Sequence, residues 1–312
     1  PAVHTAEEGF PVSPIIAQDW AESVDGLRQD AGAAATFLVD GEAPEVGQWF
    51  RNPDLARTFR RIADDGVSTF YGGDLGQHFI TGLDQLDGYL TIEDLRNHRM
   101  RWVEPLSVEY GKYTLHELPP AGQGIAALQI LKMLERFDFQ SMAHNSAEYL
   151  HALIEAKKLA YADIAGHLAD PEHMAVRPES LLDPGYLAGR AALIDTGRAA
   201  DRPGPGAPMT DSETIYLTVA DRHGNMISFI NSIYGGFGSR VVIPGTGVVL
   251  QNRGKGFTLE EGHPNQIAPN KRPFHTIIPG FVSKNGEPWV AFGVMGGPMQ
   301  PQGHVQVLLN MV

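Results

Sequence analysis

The chain has 312 residues, 43% of them hydrophobic and 20% charged, the composition of a soluble globular protein with material for one large domain or two ordinary ones. Its net charge of −13 argues against a phosphate-backbone partner, because nucleic acid needs clustered Lys and Arg. The absence of cysteine excludes a disulfide scaffold, a thiolate nucleophile and every cysteine-ligated metal. No apolar run reaches the length of a membrane span. The opening PAVHTAEEGF lacks the charged and apolar regions of a signal peptide, so the compartment stays open: cytoplasmic, periplasmic or secreted, with any export signal upstream of Pro1.

The first two-thirds of the chain read as mostly helical. RNPDLARTFRRIADDG predicts a helix capped by Asn52, begun by Pro53, lined by Leu55, Phe59 and Ile62, and stopped by Gly66. In LTIEDL, Thr91 and Asp94 have the spacing of a capping pair. GQGIAALQILKMLERFD puts Ile125, Leu128, Leu131 and Leu134 at helical spacing. NSAEYLHALIEAKKLAYADIAGHL opens with Asn145 and Glu148 as a capping box and turns Leu150, Leu153 and Ile154 inward. A linker rich in Pro and Gly runs from Arg202 to Ser212. Beyond it, short strands and Gly/Pro/Asn turns take over. TIYLTVADRHGNMISFI reads as a hairpin with a buried strand, RVVIPGTGVVLQN and TIIPGFVSKNGEPWVAF as further strands, with KNG as a turn. Helices first and strands later predict helices layered on antiparallel sheet.

Chemical candidates are few at the level of single residues. No nucleophile elbow, P-loop or zinc-binding HExxH helix is present, and GQGIAA lacks the third glycine of a nucleotide fingerprint. His223 reads as a turn residue and His304 as a helix or core residue. Glu260 and Glu261 read as surface, and Asp163 as a salt-bridge partner. Gly296 and Gly297 in MGGP fit either a tight turn or exposed N–H groups that stabilise an oxyanion. Thr214 taken alone reads as an ordinary strand residue; its context, opening a strand directly after the linker, is what an N-terminal threonine nucleophile requires. Cutting the chain between Glu213 and Thr214 frees an α-amine beside the hydroxyl, and an amine with a pKa of about 7.7–8.0 serves as a general base.

FYGGDLGQ, LTIEDL, LPPAGQGIAALQIL, EAKKLAYAD, TIYLTVADRHGN, APNKRP and VMGG occur in that order along the chain. In this the sequence resembles the γ-glutamyltranspeptidase family of N-terminal-nucleophile hydrolases, over its whole length. The resemblance implies an α+β fold, a four-layer αββα sandwich with two stacked antiparallel sheets between helices. It also implies a precursor that cuts itself into a large chain, here residues 1–213, and a small chain from residue 214, the two forming one structural domain. The chains would associate as a heterodimer or a dimer of heterodimers, acting on a small amide or peptide such as a γ-glutamyl compound. The chemistry needs no cofactor and no metal.

Carried over by that resemblance, Thr214 is the nucleophile and Gly296 and Gly297 are the oxyanion glycines. Ser232 stands where the family has a threonine supporting the nucleophile, and Thr276 matches one of two serines that bind the γ-glutamyl α-carboxylate. Four positions depart from the pattern. Tyr234 replaces an Asn, Arg253 a Gln, Gly256 the acidic residue that holds the α-amino group, and His275 the second serine. An ammonium loses its acceptor and meets a guanidinium instead. The expected activity is therefore a γ-glutamyltransferase-like amidohydrolase. Two alternatives are an acylase for oxamate-like or dicarboxylic acyl amides, and a non-catalytic single-chain homologue. The family's N-terminal carboxylate-clamping Arg and its closing strands have no counterpart, which implies a truncated portion of a longer protein.

Overall fold

In the computed structural model, residues 1–201 and 213–312 are described, with Glu213 described by its backbone alone. The predicted linker at 202–212 lies outside the described residues. The chain packs as two compact units, Pro1–Trp102 with Gly236–Gln251 and Val103–Gly235 with Asn252–Val312.

The first unit is helical. It holds α1 (Ala2–Glu8), α2 (Pro14–Leu27), α3 (Ala31–Phe37), α4 (Pro53–Asp65), α5 (Asp74–Asp84) and α6 (Ile92–Asn97), with the two-residue strands β1 (Phe10–Pro11) and β2 (Trp49–Phe50) paired antiparallel. One core gathers Trp20, Leu27, Phe37 and Val242 with the rings of Phe50 and Phe237, and the Trp20 indole donates to the Phe37 carbonyl at 2.9 Å. The cap of α4 is the predicted one. Asn52 accepts from Leu55 N at 3.0 Å, and its amide donates to the Gly247 carbonyl at 2.9 Å. Gly247 has φ +64°, and a Cβ there would lie 2.2 Å from Asn52 Oδ1, so only glycine lets the two segments meet. Thr91 and Asp94 form the reciprocal cap of α6. RVVIPGTGVVLQN does not form the predicted strands. Its Pro and Gly residues limit it to a single bridge, Val242 to Val249.

The second unit is built on an antiparallel sheet, β3 (Leu106–Tyr110), β4 (Tyr113–Glu117), β7 (Gly280–Lys284) and β8 (Glu287–Phe292), in the order β3-β4-β7-β8. The β3–β4 hairpin falls inside the part of the chain read as helical; its alternation Leu106-Val108-Tyr110 and the Gly111 turn carry a strand period. The β7–β8 turn is the predicted one, with Asn285 and Gly286 both at positive φ, 51° and 84°, as a two-residue hairpin turn needs. Val108, Leu115 and Val282 join the core formed with α7 (Gly124–Leu134), α8 (Ala147–His167), α9 (Pro184–Ala191) and α10 (Gln300–Met311). The α7 helix is buried nearly all round, which fits its almost unbroken apolar sequence. In α8 the cap is Ser146, whose hydroxyl accepts from Tyr149 N. Asn145, the predicted cap, adopts φ +58° one residue earlier. Leu153 is buried as expected, but Ile154 is 49% exposed; the buried positions Ala152, Leu153, Ala156, Leu159 and Ala160 recur at spacings of three and four that leave 154 on the outer face.

The hairpin β5 (Glu213–Ala220) and β6 (Met226–Tyr234) is the predicted one, joined by the turn that contains His223. Its orientation differs from expectation. Ile215, Leu217, Val219, Ile227 and Phe229 share one face and are exposed, whereas Thr214 and Tyr216 on the other face are half-buried. With a side-chain period of two, one register decision sends the whole apolar set outward. The inner face is fastened by polar contacts: Tyr216 OH meets Ser228 Oγ at 2.7 Å, and Ser228 Oγ donates to the Gly280 carbonyl at 2.8 Å. Helices with antiparallel sheets make the class α+β, as predicted.

Candidate functional site

Thr214 occupies an irregular point of the hairpin. Glu213 pairs with Tyr234 and Ile215 with Asn231, so Thr214 faces two residues, Ser232 and Ile233, across a β-bulge. A bulge re-aims a side chain and weakens the ladder locally, and it falls beside the peptide bond predicted to be cut. The Thr214 hydroxyl oxygen is sealed from solvent and has no hydrogen-bond partner among the described residues. A buried hydroxyl without a partner is unusual. Ser232 Oγ is turned to the backbone, accepting from Tyr234 N at 3.0 Å. Tyr234 itself takes φ +82°, a costly conformation for a non-glycine residue.

Gly296, in the left-handed region at φ 117°, and Gly297, at φ 53°, form the turn between β8 and α10. The Gly296 carbonyl accepts from Met299 N at 3.0 Å. In a trans peptide the N–H points opposite to the C=O, so that bond aims the Gly297 N–H away from the helix start. Behind the turn, His304 Nδ1 lies 2.5 Å from Glu117 Oε1, with both side chains fully buried. His304 is thus a core residue of a helix, as read from sequence.

Tyr234, Arg253, Gly256, Phe274, His275 and Thr276 converge on one small cavity of about 10 Å³, room for roughly one water. Five of these six were singled out from the sequence; Phe274 was not. Arg253 sits over the Tyr234 ring, 5.5 Å from its centroid, and donates over 3.4 Å both to Thr276 Oγ1 and to the Ser232 carbonyl. Burial lowers its pKa, partly opposed by the Tyr234 phenol, so the guanidinium charge gains from an anion brought beside it. Burial, then the charges of Arg253 and Arg272, push the His275 imidazole down to about 4. His275 keeps some exposure as a residue, yet its Nδ1 is sealed and unpartnered among the described residues. At neutral pH the ring is therefore uncharged. A Cβ at Gly256 would stand 2.2 Å from the Phe274 carbonyl oxygen.

The sequence reading missed Gln123, which is 1% exposed and whose amide donates to the carbonyls of Thr276, at 3.0 Å, and Gly297, at 2.7 Å. The available signal was a long polar residue opening an otherwise apolar helix. Asp163, read as an ion-pair partner, pairs with Arg190 at 2.8 Å. Among the described residues no group of His, Asp and Glu is arranged to hold a metal, and no helix is long and apolar enough to cross a membrane.

The antiparallel strands backed by helices have the fold of the N-terminal-nucleophile hydrolases, as superposition on a solved relative shows. The γ-glutamyltranspeptidase family matches residues 1–312, and the chain belongs to that family. It is 38% identical to the glutathione hydrolase-like YwrD proenzyme of Bacillus subtilis over 312 residues, covering 100% of this chain and 59% of that protein. It is 39% identical over 301 residues to the oxamate amidohydrolase proenzyme of Klebsiella pneumoniae, covering 96% of this chain and 56% of that protein. Among solved structures, the cephalosporin acylase from Bacillus halodurans superposes with a TM-score of 0.92 at 42% identity, over 99% of this chain and 57% of that one. The chain thus spans somewhat more than half the length of these relatives.

Proposed function

We propose that this chain is the nucleophile-bearing part of a self-cleaving amidohydrolase. Thr214 Oγ attacks the Glu213 carbonyl, the resulting ester is hydrolysed, and the freed α-amine of Thr214 becomes the base. In turnover the amine takes the Thr214 hydroxyl proton as Oγ attacks a substrate amide. The Gly296 and Gly297 N–H groups receive the developing oxyanion, and the proton passes to the departing amine. Water then releases the acid; an amino acid or peptide amine accepting the acyl group instead gives transfer. Large and small chains remain associated, possession of both being necessary for the site. The observation that carries this reading is the sealed, unpartnered Thr214 hydroxyl at the bulge.

For the acyl group, Arg253 favours a short acid without a free ammonium over the γ-glutamyl head group. It stands among Thr276, a neutral His275 and a Gly256 with no carboxylate to accept an amine. Relatives named for oxamate amide hydrolysis and for acylase activity are in keeping with that choice.

The test is intact-mass analysis and N-terminal sequencing of the full-length gene product, followed by rates on γ-glutamyl-p-nitroanilide, glutaryl-p-nitroanilide and oxamate. A fragment beginning at Thr214, absent in Thr214→Ala together with all activity, is expected. One intact band from the parent protein supports a non-catalytic homologue instead. A strong preference for the γ-glutamyl compound removes the acid-acyl assignment while leaving the nucleophile in place.

A further inference from the structure

We propose that Gln123 is a positioning residue that uses its one side-chain amide to lock the oxyanion turn and the acid-binding segment into a single register. Both are parts of the site as read above, so the inference rests on that reading. The Nε2 group has two hydrogens, and both are committed to backbone carbonyls far apart in sequence, Thr276 O at 3.0 Å and Gly297 O at 2.7 Å. Those carbonyls belong to the residue whose hydroxyl meets Arg253 and to the second glycine of the turn. The side chain is 1% exposed, at the start of the fully packed α7, so its own position is fixed by burial.

The geometry makes the turn a structure held by its acceptors. Gly296 O is taken by Met299 N, Gly297 O by Gln123, and Pro298 O by the hydroxyl of Tyr161 on α8. The first of these bonds is internal to the turn, and the next two tie it to side chains outside it. Since N–H and C=O of one trans peptide point in opposite directions, the Gly297 N–H is directed away from Met299 N. Both glycines hold backbone conformations with positive φ and have no side chain to anchor their peptide planes. Gln123 adds what Tyr161 does not, a direct tether from this turn to Thr276. Loss of that tether lets the oxyanion donors and the acid-binding hydroxyl drift independently, and a misplacement of about 1 Å is enough to cost roughly 10²-fold in rate.

The experiment uses the full-length, self-processed protein and its best substrate from the rates above, with Thr214→Ala run alongside. Gln123→Met keeps the length and removes both donors. It is expected to lower kcat at least about tenfold and to raise KM at least about threefold, because both segments are released. Tyr161→Phe touches only the turn and is expected to lower kcat with KM unchanged. Gln123→Glu places a carboxylate against two carbonyls; protonation restores one donor. The activity of this variant relative to the parent at the same pH is expected to rise as pH falls from about 8 to about 5.5, a recovery that a merely space-filling role does not give. Gln123→Met with kcat and KM both within twofold of the parent overturns the proposal. Should that variant not fold, a Gln123→Glu ratio that stays flat across the pH range overturns it. Activity surviving in Thr214→Ala would bring down the nucleophile assignment itself, an outcome separate from these.

Discussion

Acidification gives a quantitative probe of the candidate site through His275. In the folded protein its imidazole is pushed from 6.5 down to about 4, first by burial and then by Arg253 and Arg272. In the unfolded chain it takes up a proton near 6.5. Between these values the unfolded state binds the extra proton, so stability rises with pH. The contribution of the neutral ring is fully present above pH 6.5 and is lost as pH falls through 4. Its upper size is about 3 kcal/mol, from 1.36 kcal/mol for each unit of the shift. Carboxylates titrate in the same window, so the comparison is between parent and His275→Gln, urea midpoints being followed from pH 7.5 to 4. The variant removes the titrating group and should show a shallower decline by roughly 2–3 kcal/mol across the window. Parallel curves would refute the argument, because they would mean that the ring takes up its proton at the same pH in the folded and unfolded states.

Three further outcomes are expected from other contacts. Arg253→Gln should lower kcat/KM for an anionic acyl amide about 10- to 100-fold while leaving a neutral acyl amide within about threefold, as read from initial rates; equal losses on both would remove Arg253 from acid recognition. Arg190→Met leaves the Asp163 carboxylate, 8% exposed, without its ion partner, and should destabilise by about 3–5 kcal/mol in chemical unfolding. Adding Asp163→Leu should recover most of that loss, and a double variant as unstable as the single one would contradict it. Asn52→Ala removes the α4 cap and orphans the Gly247 carbonyl, an expected loss of about 2–4 kcal/mol that calorimetry would detect.

What the sequence made legible follows the range of the forces involved. Local signals were read well: the Asn52 cap, the Thr91–Asp94 box and the Asn285-Gly286 turn each depend on a few neighbouring residues. Signals that depend on tertiary surroundings were not. The alternation in β5 identifies a strand but not which face meets the sheet, and here the apolar set faces out. Val242 and Val249 look like strand residues, yet the Pro and Gly between them limit the pairing to one bridge. For the site, Thr214 stood out through family motifs and its place after the linker, since a threonine opening a strand is ordinary by itself. Gln123 escaped because its importance lies in two carbonyls more than 150 residues away in sequence.

The 2.2 Å approach between a Cβ at position 256 and the Phe274 carbonyl oxygen makes position 256 a poor place for protein engineering by single substitution. Any side chain there, a carboxylate included, forces the 274 backbone to give way. Installing an acceptor for a cationic ligand at this spot therefore calls for two coordinated changes, one at 256 and one that lets the 274 segment move.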